Sequence, residues 1–286
     1  MQHNRIFRCL VICAAGLLSA CSSIQLGYSY APSLLQYQMD SYLDLNEEQE
    51  ALLAQELRSF QAWHRQDQLP AYAQTLRQWA AKLDRPHVFT ASEVLEKQAL
   101  FEQALLTMAQ RSAYRLAPLV LTLSDAQRAR LQAQFDKSNA EYAQENLQDT
   151  AASNAQRRER FEQRYQDWLG DLTPEQIQAL NQWLEAEPSR AQLWGEERLA
   201  RQRALVQLLA DARQLPSAEA AAVELHNYFQ SLSRYRVADL QAEREARLES
   251  LAQLTVALLN SLTDTQRKHL QKKLLGYAAD FEALSK

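Results

Sequence analysis

Beyond the first twenty residues the chain holds four histidines, His64, His87, His226 and His269, and none has a second histidine three or four positions away. Neither H-E-x-x-H nor E-x-x-H occurs, so the usual helical zinc and di-iron signatures are missing. Adjacent carboxylates, Glu47 with Glu48 and Glu196 with Glu197, fall near expected helix starts, where the positive end of the peptide dipole accounts for them without acid–base catalysis. No glycine-rich phosphate loop or nucleophile-elbow spacing is present. The densest group of unusual side chains is Trp63-His64-Arg65, followed by Leu69-Pro70 and Tyr72. One reading makes it a packed corner in which His64 or Arg65 binds helix-terminal carbonyls and Pro70 opens the next helix. The other makes it a partner-recognition spot, because Trp, Tyr and Arg dominate binding hot spots. Arg157, Arg158, Arg160 and Arg164, interleaved with Glu159 and Glu162, read as a solvated helix face with ion pairs one turn apart, a docking stripe being the alternative. These residue types favour holding over turnover: the expectation is no enzyme, no metal and no cofactor.

Residues 1–20 read as a signal segment, with Arg5 and Arg8 ahead of an apolar run from Cys9 to Leu18 that is short for a permanent membrane span. The segment closes on Leu18-Ser19-Ala20-Cys21, which resembles a bacterial lipobox. That resemblance implies a mature chain beginning at Cys21, with a diacylglyceryl thioether and an acylated amine. One acyl chain binds a membrane only marginally, and each further buried CH₂ adds about 0.8 kcal/mol, so several chains hold the protein stably. Ser22 stands where an Asp would favour the inner membrane, so the expected place is the periplasmic face of a Gram-negative outer membrane. Cys9 and Cys13 would be removed and Cys21 occupied, which leaves no thiol for disulfides, zinc-thiolate sites or nucleophilic catalysis. Of 31 basic and 35 acidic residues, 29 and 35 remain without Arg5 and Arg8, a formal charge of −6. An acidic body argues against nucleic acid as a general partner and offers no broad cationic field to anionic lipid.

The elements that would position these residues are announced by one phrase used four times: Leu45-Asn46-Glu47-Glu48-Gln49, Leu123-Ser124-Asp125-Ala126-Gln127, Leu172-Thr173-Pro174-Glu175-Gln176 and Leu262-Thr263-Asp264-Thr265-Gln266. In each, Asn46, Ser124, Thr173 or Thr263 can accept from a first-turn N–H, and Gln49, Gln127, Gln176 or Gln266 can reach back, the reciprocal capping arrangement of a helix start. Each cap is worth about 1 kcal/mol. Apolar residues follow eight and twelve positions after each first Leu: Leu53 and Leu57, Leu131 and Phe135, Leu180 and Leu184, Leu270 and Leu274. Pairing the first phrase with the third and the second with the fourth gives offsets of 127 and 139 residues, a pattern that suggests an old duplication.

Glycine occurs only at 16, 27, 170, 195 and 276, while Ala, Leu, Gln, Glu and Arg dominate, which is the composition of helices and not of sheets. The expected fold is all-α: an elongated multi-helix bundle with long helices over 31–286, either one domain or two related halves, 31–170 and 171–286. Residues 21–30 are expected to be a lipidated tether. Helices are expected after Pro32, from Glu47 to about Arg65, from Pro70 to near Leu83, from Thr90 or Ser92 until Pro118 disturbs it, and from Ser124. No strong breaker appears from Asp125 to Leu169, and the polar stretch 149–154 fits either an exposed helical turn or a broken link. Gly170 supplies a stop, Pro174 opens the best-formed start, and Pro188 marks a break. A helix to about Leu215, a long one from Ala218 to Leu259 and a last one from Thr263 to about Leu284 complete the expectation.

Two resemblances follow. The lipobox, Leu26-Gly27-Tyr28, Tyr42-Leu43-Asp44-Leu45 with Gln49, and Trp63-His64-Arg65 with Leu69-Pro70-Tyr72 together resemble a family of uncharacterised Gram-negative helical lipoproteins. The third and fourth phrases match the LTxxQ motif of the Spy and CpxP periplasmic chaperones and stress sensors, and the first two match it loosely. That resemblance implies a helical cradle sheltering unfolded clients, although this chain is longer and acidic. The expected function is a lipid-anchored helical protein that engages envelope or unfolded proteins without catalysis. The alternative is an adaptor that positions a specific envelope machine, and an envelope hydrolase is the remaining reading.

Overall fold

The computed structural model describes residues 23–85, 87–147, 151–187 and 189–286. The signal segment, Cys21, Pro86 and Pro188 lie outside the described residues. Among those described, all regular structure is helical: α1 (Ser23–Leu43), α2 (Glu47–Trp63), a π turn (His64–Gln68), α3 (Leu69–Lys82), α4 (Ala91–Thr122), α5 (Asp125–Asn146), α6 (Ala151–Leu169), α7 (Pro174–Ala186), α8 (Ala191–Asp211) with a short 3₁₀ turn (Ala212–Gln214), α9 (Ala218–Ser231), α10 (Ala238–Asn260) and α11 (Asp264–Leu284). The fold is an all-α multi-helix bundle. No helix among the described residues is long and apolar enough to cross a membrane.

Five local expectations change. From Ser23 onward the expected tether is helix, because its residues are held by distant partners: Gln25 Nε2 donates to Asp280 Oδ1 at 2.8 Å and the Tyr28 hydroxyl lies 2.8 Å from His64 Nδ1. Pro32 sits inside α1, and the Tyr28 carbonyl that it deprives of a helical donor instead accepts from Gln61 Nε2 at 2.6 Å. The break expected near Arg65 is a π turn, closed by the Leu69 N–H on the His64 carbonyl, so α2 and α3 run on with a slipped ladder. Pro118 lies within α4 without ending it, one turn beyond the solvent-exposed Tyr114. Between Asp125 and Leu169, α5 ends at Asn146 and α6 is described from Ala151, residues 148–150 lying outside the described residues.

The long helix expected over 218–259 is two, α9 and α10, separated at Leu232–Val237. The cause lies on α8. Glu197, 2% exposed, accepts from the backbone N–H groups of Arg236 at 2.7 Å and Val237 at 2.9 Å, and from the Arg201 guanidinium. A carboxylate from another helix thus takes the donors at the start of α10, where Val237 brings no side-chain cap of its own.

All four phrases form their reciprocal caps. Their glutamines then meet in pairs. Gln49 Nε2 donates to Gln127 Oε1 at 3.2 Å while Gln127 Nε2 donates to Gln49 Oε1 at 2.6 Å. Gln176 and Gln266 repeat the exchange at 3.1 and 2.7 Å. The second amide hydrogens go to carbonyls that precede the partner phrases: Gln127 to Asp44, Gln49 to Thr122, Gln266 to Asp171 and Gln176 to Ser261, at 2.7–3.3 Å. Each amide oxygen also accepts from its own N-cap N–H, so all four buried amides are saturated and their orientation is fixed. In this geometry the first phrase corresponds to the third and the second to the fourth, the pairing that the offsets of 127 and 139 select.

Each clasp is embedded in its own apolar core. Leu45, Leu53, Leu123 and Leu131 surround the first with Leu209, Leu225 and alanines of α4 and α9. Leu172, Leu180, Leu262 and Leu270 surround the second with Ala80, Phe89, Leu254 and Leu258. Both cores mix residues from before and after position 170. Two seams are lined by alanine, Ala113 and Ala117 of α4 against α9 with Ala221 and Ala222, and Ala73 and Ala80 of α3 against α11 with Ala278. Side chains this small let helix axes approach closely.

Candidate functional site

A cavity of about 580 Å³ with binding chemistry lies against the second core. α6 contributes Phe161, Arg164, Tyr165 and Trp168, whose spacing places them on one face of the helix. α10 faces it with Arg244, Arg247, Leu248, Leu251 and Thr255, again one side of a helix. Trp183 of α7 and Trp79 of α3 close two further sides, and Leu270 and Leu274 of α11 form part of the floor. Three of the five tryptophans therefore line one space.

Its polar groups are mostly committed. Trp183 Nε1 donates to Ser250 Oγ at 2.9 Å, and the Tyr165 hydroxyl lies 3.5 Å from Thr255 Oγ1. Burial pushes the Tyr165 phenol upward against the opposing pull of that contact and of Arg164. Arg244 is held by both oxygens of Glu102 at 2.8 Å, which ties α10 to α4. Glu187 pairs with Arg190 at 3.3 Å. Two groups stand apart. Trp79 Nε1 is buried with no hydrogen-bond partner. Arg164 and Arg247 lie over ring faces, Phe161 and Trp194 respectively, each at 5.6 Å, and neither forms an ion pair among the described residues. The lining thus presents aromatic and leucine surface, one unused N–H donor and two cations over ring faces. No histidine and no pair of carboxylates lines it.

The arginine stripe of α6 divides. Arg157 donates to the carbonyls of Leu184 at 3.2 Å and Glu187 at 2.6 Å, capping the end of α7 rather than standing in solvent. Arg164 belongs to the cavity rim, and Arg158 and Arg160 are exposed.

Trp63, His64, Arg65 and Tyr72 do come together, but away from the cavity lining. His64 is the hub: Tyr28 stacks on it at 5.7 Å, Phe60 at 6.2 Å, Tyr72 meets it edge-on at 5.7 Å and Trp63 at 6.3 Å. Arg65 lies over the Tyr28 ring at 5.5 Å. Burial lowers the His64 pKa and raises that of Tyr72. The cluster joins α1, α2, α3 and, through Phe281, α11. This is packed-corner geometry, although the partner of the imidazole is a tyrosine hydroxyl and not a helix-terminal carbonyl.

The other histidines are separate. His87 lies 3.0 Å from Glu93, whose carboxyl is held down at about 2, first by the Lys82 ammonium against the opposing effect of burial, with backbone and His87 hydrogen bonds assisting. His269 packs beneath Gly170, whose φ of +80° a side chain would strain. Among the described residues no group of three or more His, Cys, Asp or Glu is placed to hold a metal ion. The cavity was missed in the sequence because its walls come from helices far apart in the chain. The available signal was the apolar series resuming at Phe161, Tyr165 and Trp168.

Compared with known proteins, residues 41–233 match DUF6279, a family of unknown function. No curated protein and no solved structure matches the chain.

Proposed function

From the premise that this chain belongs to DUF6279, we propose that it is a lipid-anchored envelope protein that binds, without turnover, an apolar segment of a protein partner. The observation that carries the reading is the cavity: tryptophan, tyrosine and arginine around leucine, the composition of residues on which binding energy concentrates. Its volume falls within the range of about 300–1,000 Å³ typical of ligand sites. Lacking convergent carboxylates, it has no evident acid–base pair, which favours holding over hydrolysis. A compact site with cationic edges suits one positioned partner better than many unfolded clients, so the adaptor form is preferred to the chaperone form. The resemblance to the LTxxQ motif supports the chaperone form, but the saturation of all four glutamines inside the protein gives those motifs a structural task here. The lipobox ending at Cys21 supports anchoring.

Two outcomes test this. A Trp168→p-benzoylphenylalanine variant irradiated in cells should yield one discrete crosslinked protein, lost when Leu251→Arg places a guanidinium in the apolar wall. A ladder of many adducts favours the chaperone form, and an adduct indifferent to Leu251→Arg removes the cavity from the function. Separately, Cys21→Ala should move the protein from the membrane to the soluble fraction. Retention of that variant in membranes rejects the lipid anchor.

A further inference from the structure

α1 is apolar on two sides. Its inner side, including Tyr28, Met39, Tyr42 and Leu43, packs on the body, Met39, Tyr42 and Leu43 joining the first core. Its outer side carries Leu26, Tyr30, Leu34 and Tyr37, which are 56, 64, 66 and 71% exposed. At 3.6 residues per turn these four fall within an arc of about 80° and cover about 16 Å of helix length. The single charged residue of α1 is Asp40, whose carboxylate turns back to accept from the Leu45 N–H at 2.8 Å. A helix without a charged face, flanked by protein on one side only, needs a second apolar neighbour.

We propose that the outer side of α1 lies on the surface of the lipid bilayer, with Leu26 and Leu34 in the acyl boundary and Tyr30 and Tyr37 at headgroup depth. The position of the helix in the chain selects this occupant. Ser23, the first described residue of α1, is two residues after Cys21 in the sequence, so an anchor there brings Leu26 to within a few residues of the lipid. Tyrosine suits that boundary because its ring is apolar and its hydroxyl hydrated. Acyl chains on one residue would tether the protein but leave it free to rotate, whereas a helix seated along the interface fixes which face of the body points away from the membrane. The inference rests on anchoring at Cys21.

The test uses the full acylated protein in vesicles of phosphatidylethanolamine and phosphatidylglycerol in equal parts. With Cys9 and Cys13 removed and Cys21 acylated, Tyr30→Cys, Leu34→Cys and, as a control on α8, Leu199→Cys each offer one thiol for an environment-sensitive fluorophore. Labels at 30 and 34 should shift to the blue and lose emission to nitroxide-bearing phospholipid, while the label at 199 does not. If labels at 30 and 34 stay unquenched on protein that remains vesicle-bound, the proposal is wrong. Blue-shifted but unquenched labels then assign the face to a second copy or another protein. Protein that leaves the vesicles and shows a further reactive thiol fails the anchoring premise instead, a result separable from the first.

Discussion

Glu197→Ala is expected to destabilise the protein by about 3 kcal/mol or more, since it leaves two backbone N–H groups without an acceptor at about 1–3 kcal/mol each and removes the charged partner of Arg201. The substitution strands the Arg201 guanidinium and two backbone N–H groups at the start of α10. Glu197→Gln keeps the shape and an acceptor but no charge, and should cost less, about 1–3 kcal/mol. Burial alone would raise the Glu197 pKa, but the bonds from Val237, Arg201 and Arg236 outweigh it and hold the carboxyl below its ordinary value of 4.5. The sign follows. The folded state releases this proton more readily than the unfolded chain, so the contribution is present in full above pH 4.5 and is lost as pH falls through the lower, folded value. Urea unfolding followed at neutral and acid pH should show the parent losing stability over that interval, with Glu197→Gln losing less. Parallel acid profiles for the two proteins would show that another group is responsible.

Gln176→Leu is the second large effect, with an expected loss of about 3 kcal/mol from buried polar groups left without partners, each worth about 1–3 kcal/mol. Gln266 loses its donor and its acceptor, and the Thr173 N–H and the Ser261 carbonyl lose theirs. Because Gln266→Leu would break the same exchange, the double substitution should cost less than the two single losses combined, by about 0.5–3 kcal/mol. A double-mutant cycle in urea measures this directly. Additivity within about 0.3–0.5 kcal/mol would mean that the amides do not work as a pair. Gln49 with Gln127 should behave alike, since Thr122 and Ser261 receive equivalent bonds.

The helix starts were legible because a capping box is a local device: its four residues carry both donors and both acceptors. The apolar positions eight and twelve residues into each phrase were legible for the same reason: six of the eight lie in the two cores, and Leu57 and Phe135 pack against the first. The break between α9 and α10 was not, because the group that causes it, Glu197, lies about forty residues upstream and reads locally as one more surface acid. Residues 21–30 read as a tether, yet contacts to Gln61, His64 and Asp280 hold the stretch from Ser23 helical. The Trp63 to Tyr72 cluster was visible as composition, whereas the stacking of Tyr28 on its His64 hub needed α1 in place. The cavity depends on side chains from α3, α6, α7, α10 and α11 converging, which no single stretch of sequence encodes.

The seam between α3 and α11 sets a schedule. Gln271 reaches the Ala80 carbonyl across 191 residues, and the second core likewise joins Ala80, Leu83 and Phe89 to Leu270 and Leu274. A polypeptide emerging N-terminus first therefore presents α3 long before its mate exists. The entropy of closing so wide a loop grows only slowly with its length, so the equilibrium is little affected. Timing is what changes: nascent molecules pass through a stage with that alanine face bare, which lasts until α11 arrives.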